Sequence, residues 1–137
     1  MTEKVLYEVV DGVGVITLNR PEVHNAMDDE VAALYKKVLD AALEDDNVRV
    51  VLLQGAGKSF CSGRDTTMLG HRARDESDYH FVRRAQEGRL RMQDATKPII
   101  AAVKGGAIGG GSRQDGGRQE PSCDQHARRE RPPAARP

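Results

Sequence analysis

Val48-Arg49-Val50-Val51-Leu52-Leu53, running on into Gly55-Ala56-Gly57-Lys58-Ser59-Phe60-Cys61-Ser62-Gly63-Arg64-Asp65, is the stretch on which the fold turns. The first six residues are a short, nearly continuous β-branched run, bounded by Asp46-Asn47 before it and by glycine-rich sequence after it. A strand covered on both faces needs that pattern, because no side of it meets water. The glycine-rich segment then falls at the carboxyl end of a strand, the place where open parallel sheets bind ligands.

Working outward, Asp28 and Asp29 can cap a helix, and Val31, Leu34, Tyr35, Val38, Leu39 and Ala42 recur at the three-and-four spacing of one buried face. That spacing predicts a helix to about Asp45. Before it, Val5–Val10 and Val13–Leu18 flank Asp11-Gly12, the strongest short-range signal for a β-hairpin. Asn19-Arg20-Pro21 ends the second strand, since proline has no N–H for a ladder and turns the residue before it away from helix. Downstream, Ser77 to Ala95 carries a charged helical pattern with Phe81, Val82, Ala85 and Met92 inward, and Pro98–Val103 reads as a second buried strand. Strand, helix, strand in this order predicts a parallel βαβ unit and an α/β fold.

The chain has 137 residues, enough for one core. Its 21 Lys and Arg balance 21 Asp and Glu, so no net field draws it to nucleic acid or to an anionic membrane. Cys61 and Cys123 lie far apart in unlike sequence, as expected of reduced thiols rather than a disulfide framework. No segment approaches the roughly 18 apolar residues of a membrane span, and Met1–Val5 lacks a leader pattern. The expectation is a cytoplasmic protein with no membrane partner. After Gly111 the character changes. Residues 112–137 contain no Leu, Ile, Val, Met, Phe, Tyr or Trp, and so cannot bury enough apolar surface to offset an ordering entropy of about 1–2 kcal/mol per residue. A disordered tail beginning at 112, set apart from a folded region of residues 1–111, is expected, and the abruptness of the change points to a shifted reading frame.

Several chemistries fail on spacing. A Walker A loop would need glycine where Leu52 stands, and no glycine triple has the G-x-G-x-x-G spacing. His24, His71, His80 and His126 show no i,i+4 pair and the cysteines no C-x-x-C, so no metal site is expected. Ser59, Ser62 and Ser112 lie outside any G-x-S-x-G elbow. The arginines of the tail lack interleaved aromatics, so nucleic acid is not an expected partner.

Three blocks remain: Leu18-Asn19-Arg20-Pro21 with Asn25-Ala26-Met27, then Gly55 to Asp65, then Lys97-Pro98-Ile99-Ile100-Ala101-Ala102-Val103-Lys104-Gly105-Gly106-Ala107-Ile108-Gly109-Gly110-Gly111. In this order they resemble the successive signatures of the enoyl-CoA hydratase/isomerase (crotonase) family, over residues 5 to 111. The resemblance implies a truncated form of that family's ββα spiral fold and an acyl-CoA thioester as ligand. It implies no cofactor beyond the coenzyme A of the substrate, and an assembly that is usually a homotrimer or hexamer.

The same resemblance places an oxyanion hole at the backbone N–H groups of Arg64 and Gly110. Two such donors stabilise a developing enolate, each typically by about 3–4 kcal/mol. The Glu22-Val23-His24 stretch matches the loop over the CoA moiety, and Ala26 is a further substrate-binding position. Ser62, Gly63, Asp65 and Thr66, with Gly109, match positions along the thioester channel. Where the hydratases carry a catalytic Glu two residues after the glycine triplet, this chain has Arg113, and the block with the second Glu is not in it. The expectation is therefore a family member without hydratase activity as this chain, or an acyl-CoA-binding or subunit-associating relative without catalysis.

Overall fold

The computed structural model describes residues 3–68 and 77–109. Four strands form one sheet in the order β1-β2-β3-β4, with β1 at Val5–Val10, β2 at Val13–Leu18, β3 at Val50–Gly55 and β4 at Ile99–Ala102. Helix α1 spans Asp29–Glu44 and α2 spans Asp78–Gln93. β1 and β2 are antiparallel; β2, β3 and β4 run parallel, which confirms the α/β class and the expected parallel β3-α2-β4 unit and adds a second parallel pairing, β2 with β3.

Asp11 and Gly12 both adopt positive φ, 50° and 82°, and join Val10 directly to its partner Val13. A two-residue turn of this kind matches the right-handed twist of the strands it connects. Asp28 caps α1 through its side chain, which accepts from the Val31 N–H at 2.7 Å. The helix buries Val31, Tyr35, Leu39, Ala42 and Leu43 against Ile16, Leu18, Val51 and Leu53 of the sheet. Leu34 and Val38 are half-buried at the border of this core. At about 25 cal/mol per Å2 of apolar surface, burying one such leucine contributes roughly 1.5–3 kcal/mol.

Three expectations are corrected. β3 lies two residues later than the apolar run suggested: Val48 and Arg49 are held outside the ladder by N–H bonds to Asp45 and Gly12, while Gln54 and Gly55 extend it. Gln54 is polar yet fits there because its side chain crosses to Thr17 Oγ1 at 3.0 Å on the outer face. β3 is also buried on one face only, with Val50, Leu52 and Gln54 half-buried. β4 likewise shows Ile100 outward, 55% exposed.

The third correction concerns α2, which has no buried residue: Val82 is 47% exposed and Ala85 is exposed. Its approach to α1 passes through Gly88, where an added Cβ would already lie 3.4 Å from the Tyr35 ring, and through Met92, whose sulfur accepts from the Tyr35 hydroxyl at 2.9 Å. Phe81 instead lies under the Arg64 guanidinium, 5.0 Å from ring centroid to Cζ. Among the described residues no helix is long and apolar enough to cross a membrane. The expected tail and Gly110 lie outside the described residues.

Candidate functional site at the junction of three loops

Because β2, β3 and β4 run parallel, the segments that leave their carboxyl ends converge at one end of the sheet. These are residues 19–27, 55–65 and 103–109, the three blocks singled out in the sequence. They are joined backbone to backbone. Met27 and Arg64 form a parallel bridge, as do Cys61 and Ala107. The Met27 N–H donates to Gly63 O at 2.8 Å and the Asp65 N–H to Met27 O at 2.9 Å; on the other side the Cys61 N–H donates to Gly106 O and the Ile108 N–H to Cys61 O.

In a parallel bridge the residue whose two neighbours make the bonds turns its own N–H the other way. Arg64 is that residue. Its N–H faces away from Met27 and has no hydrogen-bond partner among the described residues. Gly63, at φ +91°, lets the chain pass close to the third segment: an added Cβ would fall 2.7 Å from Ile108 O and 3.6 Å from the Gly109 Cα. Gly105, at φ +61°, does the same on the far side, 2.2 Å from Lys58 O.

The side chains that hold this junction are buried and polar. Asn25 is 1% exposed with φ +57°. Its Nδ2 donates to Ala56 O at 2.9 Å and Ser59 O at 2.8 Å, and its Oδ1 accepts from the Arg20 N–H at 2.8 Å. The Arg20 guanidinium donates to Ala26 O at 2.7 Å and pairs with Asp28 at 3.3 Å and Asp65 at 3.2 Å. Hydrogen bonds from the Thr67 hydroxyl and N–H, together with Arg20, hold the Asp65 carboxyl below its usual range. For Asp28, burial raises the value, but the Val31 N–H, Lys4 and Arg20 outweigh it and the carboxyl is again lowered. Asp29 is paired with Arg64 at 3.1 Å and Arg84 at 3.8 Å. Asp28, Asp29 and Asp65 are thus each already engaged by a cation.

Of the residues marked out in sequence, His24, Val23 and Thr66 are exposed; His24 Nδ1 lies 3.1 Å from Ser59 Oγ. The Ser62 hydroxyl donates to Val23 O at 3.3 Å and its N–H to His24 O at 3.0 Å, so the first and second blocks touch along this line. Ala26 and Asp65 are buried, and both Asp65 oxygens are spent on Arg20 and Thr67. Gly63, Arg64 and Gly109 are brought together at one end of a cavity of about 1030 Å3 between α1 and α2, with Met27, Ala32, Tyr35 and Met92 among its apolar lining.

Cys61 is a packing residue. Burial pushes its thiol pKa up and its sulfur accepts from the Gly63 N–H at 3.4 Å. The parts played by Asn25 and Arg20 were missed, because Asn25's main partners are 31 and 34 positions away and no periodicity reports them.

Comparison with known proteins agrees with this geometry. The family model for enoyl-CoA hydratase/isomerase matches residues 8–114. A Mycobacterium tuberculosis protein named "Probable enoyl-CoA hydratase EchA14" is 36% identical over 109 residues, which are 80% of this chain and 42% of that protein. Among solved structures, an enoyl-CoA hydratase/isomerase from Xanthobacter autotrophicus Py2 superposes with a TM-score of 0.73 at 36% identity, covering 83% of this chain and 43% of its own. An enoyl-CoA hydratase from Bacillus anthracis gives a TM-score of 0.73 at 29% identity, covering 82% and 44%. The chain thus spans less than half the length of these relatives.

Proposed function

The chain belongs to the enoyl-CoA hydratase/isomerase family, and from that membership we propose that it holds the carbonyl of an acyl-CoA thioester at the three-loop junction without hydrating it. One observation carries the reading: the Arg64 N–H, pointing away from Met27 and without a partner among the described residues, stands where the second and third loops meet. A rigid backbone donor left unpaired at a loop junction is the element an oxyanion hole requires, since it needs no reorganisation when charge develops. Gly110, one residue past the Gly109 turn and outside the described residues, is the second donor in this reading.

Val23 and His24 then border the CoA moiety, and Ser62, Gly63, Thr66 and Gly109 the thioester and pantetheine channel. Ala26 and Asp65 shape the channel from behind. Coenzyme A arrives as part of the substrate and no further cofactor is needed. The setting is cytoplasmic fatty-acid metabolism.

Hydration needs carboxylates that can trade protons with water and the α-carbon. Asp28 and Asp65 are held ionised by their partners and are poor bases for it, and Arg113 stays protonated. Residues 112–137 belong, in this reading, to a different reading frame from the fold; another frame of the coding DNA that restores an apolar helix and an acidic block would support this.

Calorimetric titration with butyryl-CoA and with its thioether analogue S-butyl-CoA, which lacks only the carbonyl oxygen, tests the site. Tighter binding of the thioester is expected, and equal affinity or none overturns the reading. Turnover of crotonyl-CoA by the purified chain would overturn the lack of hydration. The second reading, a non-catalytic partner for another chain, draws on the outward face of β4 and on α2, which buries nothing. Co-sedimentation with an intact family member is its test.

A further inference from the structure

We propose that Asn25 is a positioning residue for the thioester site: through two hydrogen bonds it fixes the loop bearing Arg64 to the loop bearing Met27, a third holding its amide within its own loop, and so sets where the Arg64 N–H points. The proposal deepens the thioester reading and rests on it.

Residues 20–27 and 55–65 meet along a line. At its far end they are joined by backbone pairs, Ser62 to His24 and Gly63 and Asp65 to Met27. At its near end, the turn at Ala56–Ser59 presents two carbonyl oxygens toward the first loop. Asn25 donates to both, at 2.9 and 2.8 Å, and takes the Arg20 N–H at 2.8 Å on its own oxygen. A primary amide has two donors and an acceptor with two lone pairs. Here both donors and the oxygen are used, in a residue 1% exposed. Its φ of +57° adds a requirement on the backbone, which asparagine, aspartate and glycine meet most easily.

Gly55 belongs to the same device. An added Cβ there would lie 2.8 Å from Asn25 Nδ2 and 2.4 Å from Phe60 O, so only glycine lets the amide in. Without the near-end clamp, residues 55–65 would meet the first loop through the pairs at residues 62–65 and the His24–Ser59 side-chain contact, and the Gly63–Arg64 peptide could shift with the loop it ends. Proximity effects in sites of this kind are steep: about 1 Å of misplacement can cost roughly a hundredfold.

Asn25→Asp keeps the size, the positive φ and the acceptor for Arg20, but sets an oxygen against Ala56 O and Ser59 O. Asn25→Gly keeps the φ and removes the side chain without adding charge. Two measurements are made on each variant of the full chain: the Arg64 amide resonance in a 15N-labelled sample, and the ratio of butyryl-CoA to S-butyl-CoA affinity. The expected result is a shifted Arg64 amide and a thioester preference reduced by about tenfold, with S-butyl-CoA affinity held within about twofold and far-UV circular dichroism retained. An unmoved Arg64 amide or an unchanged ratio in a folded variant overturns the proposal. So does loss of the sheet in both variants, since Asn25 would then be a general folding determinant. If the unaltered chain shows no thioester preference, the functional reading fails by itself, while the Arg64 amide still reports on positioning.

Discussion

Arg20 Nη1 lies 3.2 Å from Asp65 Oδ2 and 3.3 Å from Asp28 Oδ2, so one guanidinium ties the end of the second loop to the cap of α1. Both carboxyls are held below their usual range. A group with a depressed folded-state value adds stability that is complete above its unfolded value, near pH 4, and is lost as pH falls through the folded one. Asp40, lowered against the effect of burial by Arg91 and Lys36, acts in the same direction. Thermal unfolding midpoints should therefore be nearly level from pH 7 to 5 and fall below about pH 4. Asp65→Asn should start lower and fall less steeply; an identical pH profile would show that the Arg20 pair contributes nothing.

A second long-range contact supplies what α1 lacks. The helix has no basic residue in its last turn, and Lys97, just before β4, places its Nζ 3.1 Å from Ala42 O and 2.6 Å from Asp45 O. An ammonium at this end meets carbonyls just where the intrahelical ladder runs out, Asp45 O accepting also from the Val48 N–H, and the negative end of the helix dipole. Lys97→Ala should lower unfolding stability by about 1 kcal/mol, or roughly 4–8 °C in midpoint for a domain of this size. Denaturant titration reads it, and a change within error would assign the contact to the surface.

For Arg64 the backbone and side chain separate cleanly. The guanidinium pairs with Asp29 and lies over Phe81, away from the N–H that the proposed site uses. Arg64→Ala should leave the butyryl-CoA preference within about twofold, since it removes an ion pair with both side chains about a third exposed, of little worth. Arg64→Pro removes the N–H itself and should abolish the preference. If alanine is as damaging as proline, the side chain binds ligand and the backbone assignment is wrong.

Local features were the legible ones. The Asp11-Gly12 turn and the buried face of α1 depend on residues within a few positions of one another, and spacing reports them directly. β3 slipped by two residues because Gln54, polar and apparently outside the strand, is satisfied by Thr17 across the ladder. α2 was read too generously, since Val82 follows a helical period but meets no partner surface among the described residues. Family blocks located the three loops. They did not tell Asp65, spent on Arg20 and Thr67, from a residue open to ligand, because its pairing with Arg20 joins chain segments 45 positions apart.

Ile100 bears on how the chain behaves in solution. It stands on β4, the last strand of the described sheet, 55% exposed and paired in register with half-buried Leu52. The strand Ile99–Ala102 carries no charge, whereas β1 at the opposite edge carries Glu8. An apolar edge without a charged residue is a template for pairing with another strand. Concentration-dependent association is therefore expected by sedimentation velocity, and Ile100→Lys, which puts a charge on the outward face without touching the core, should suppress it. A chain that stays monomeric across the accessible concentrations, with or without the lysine, would show that residues outside the described region already cover this edge.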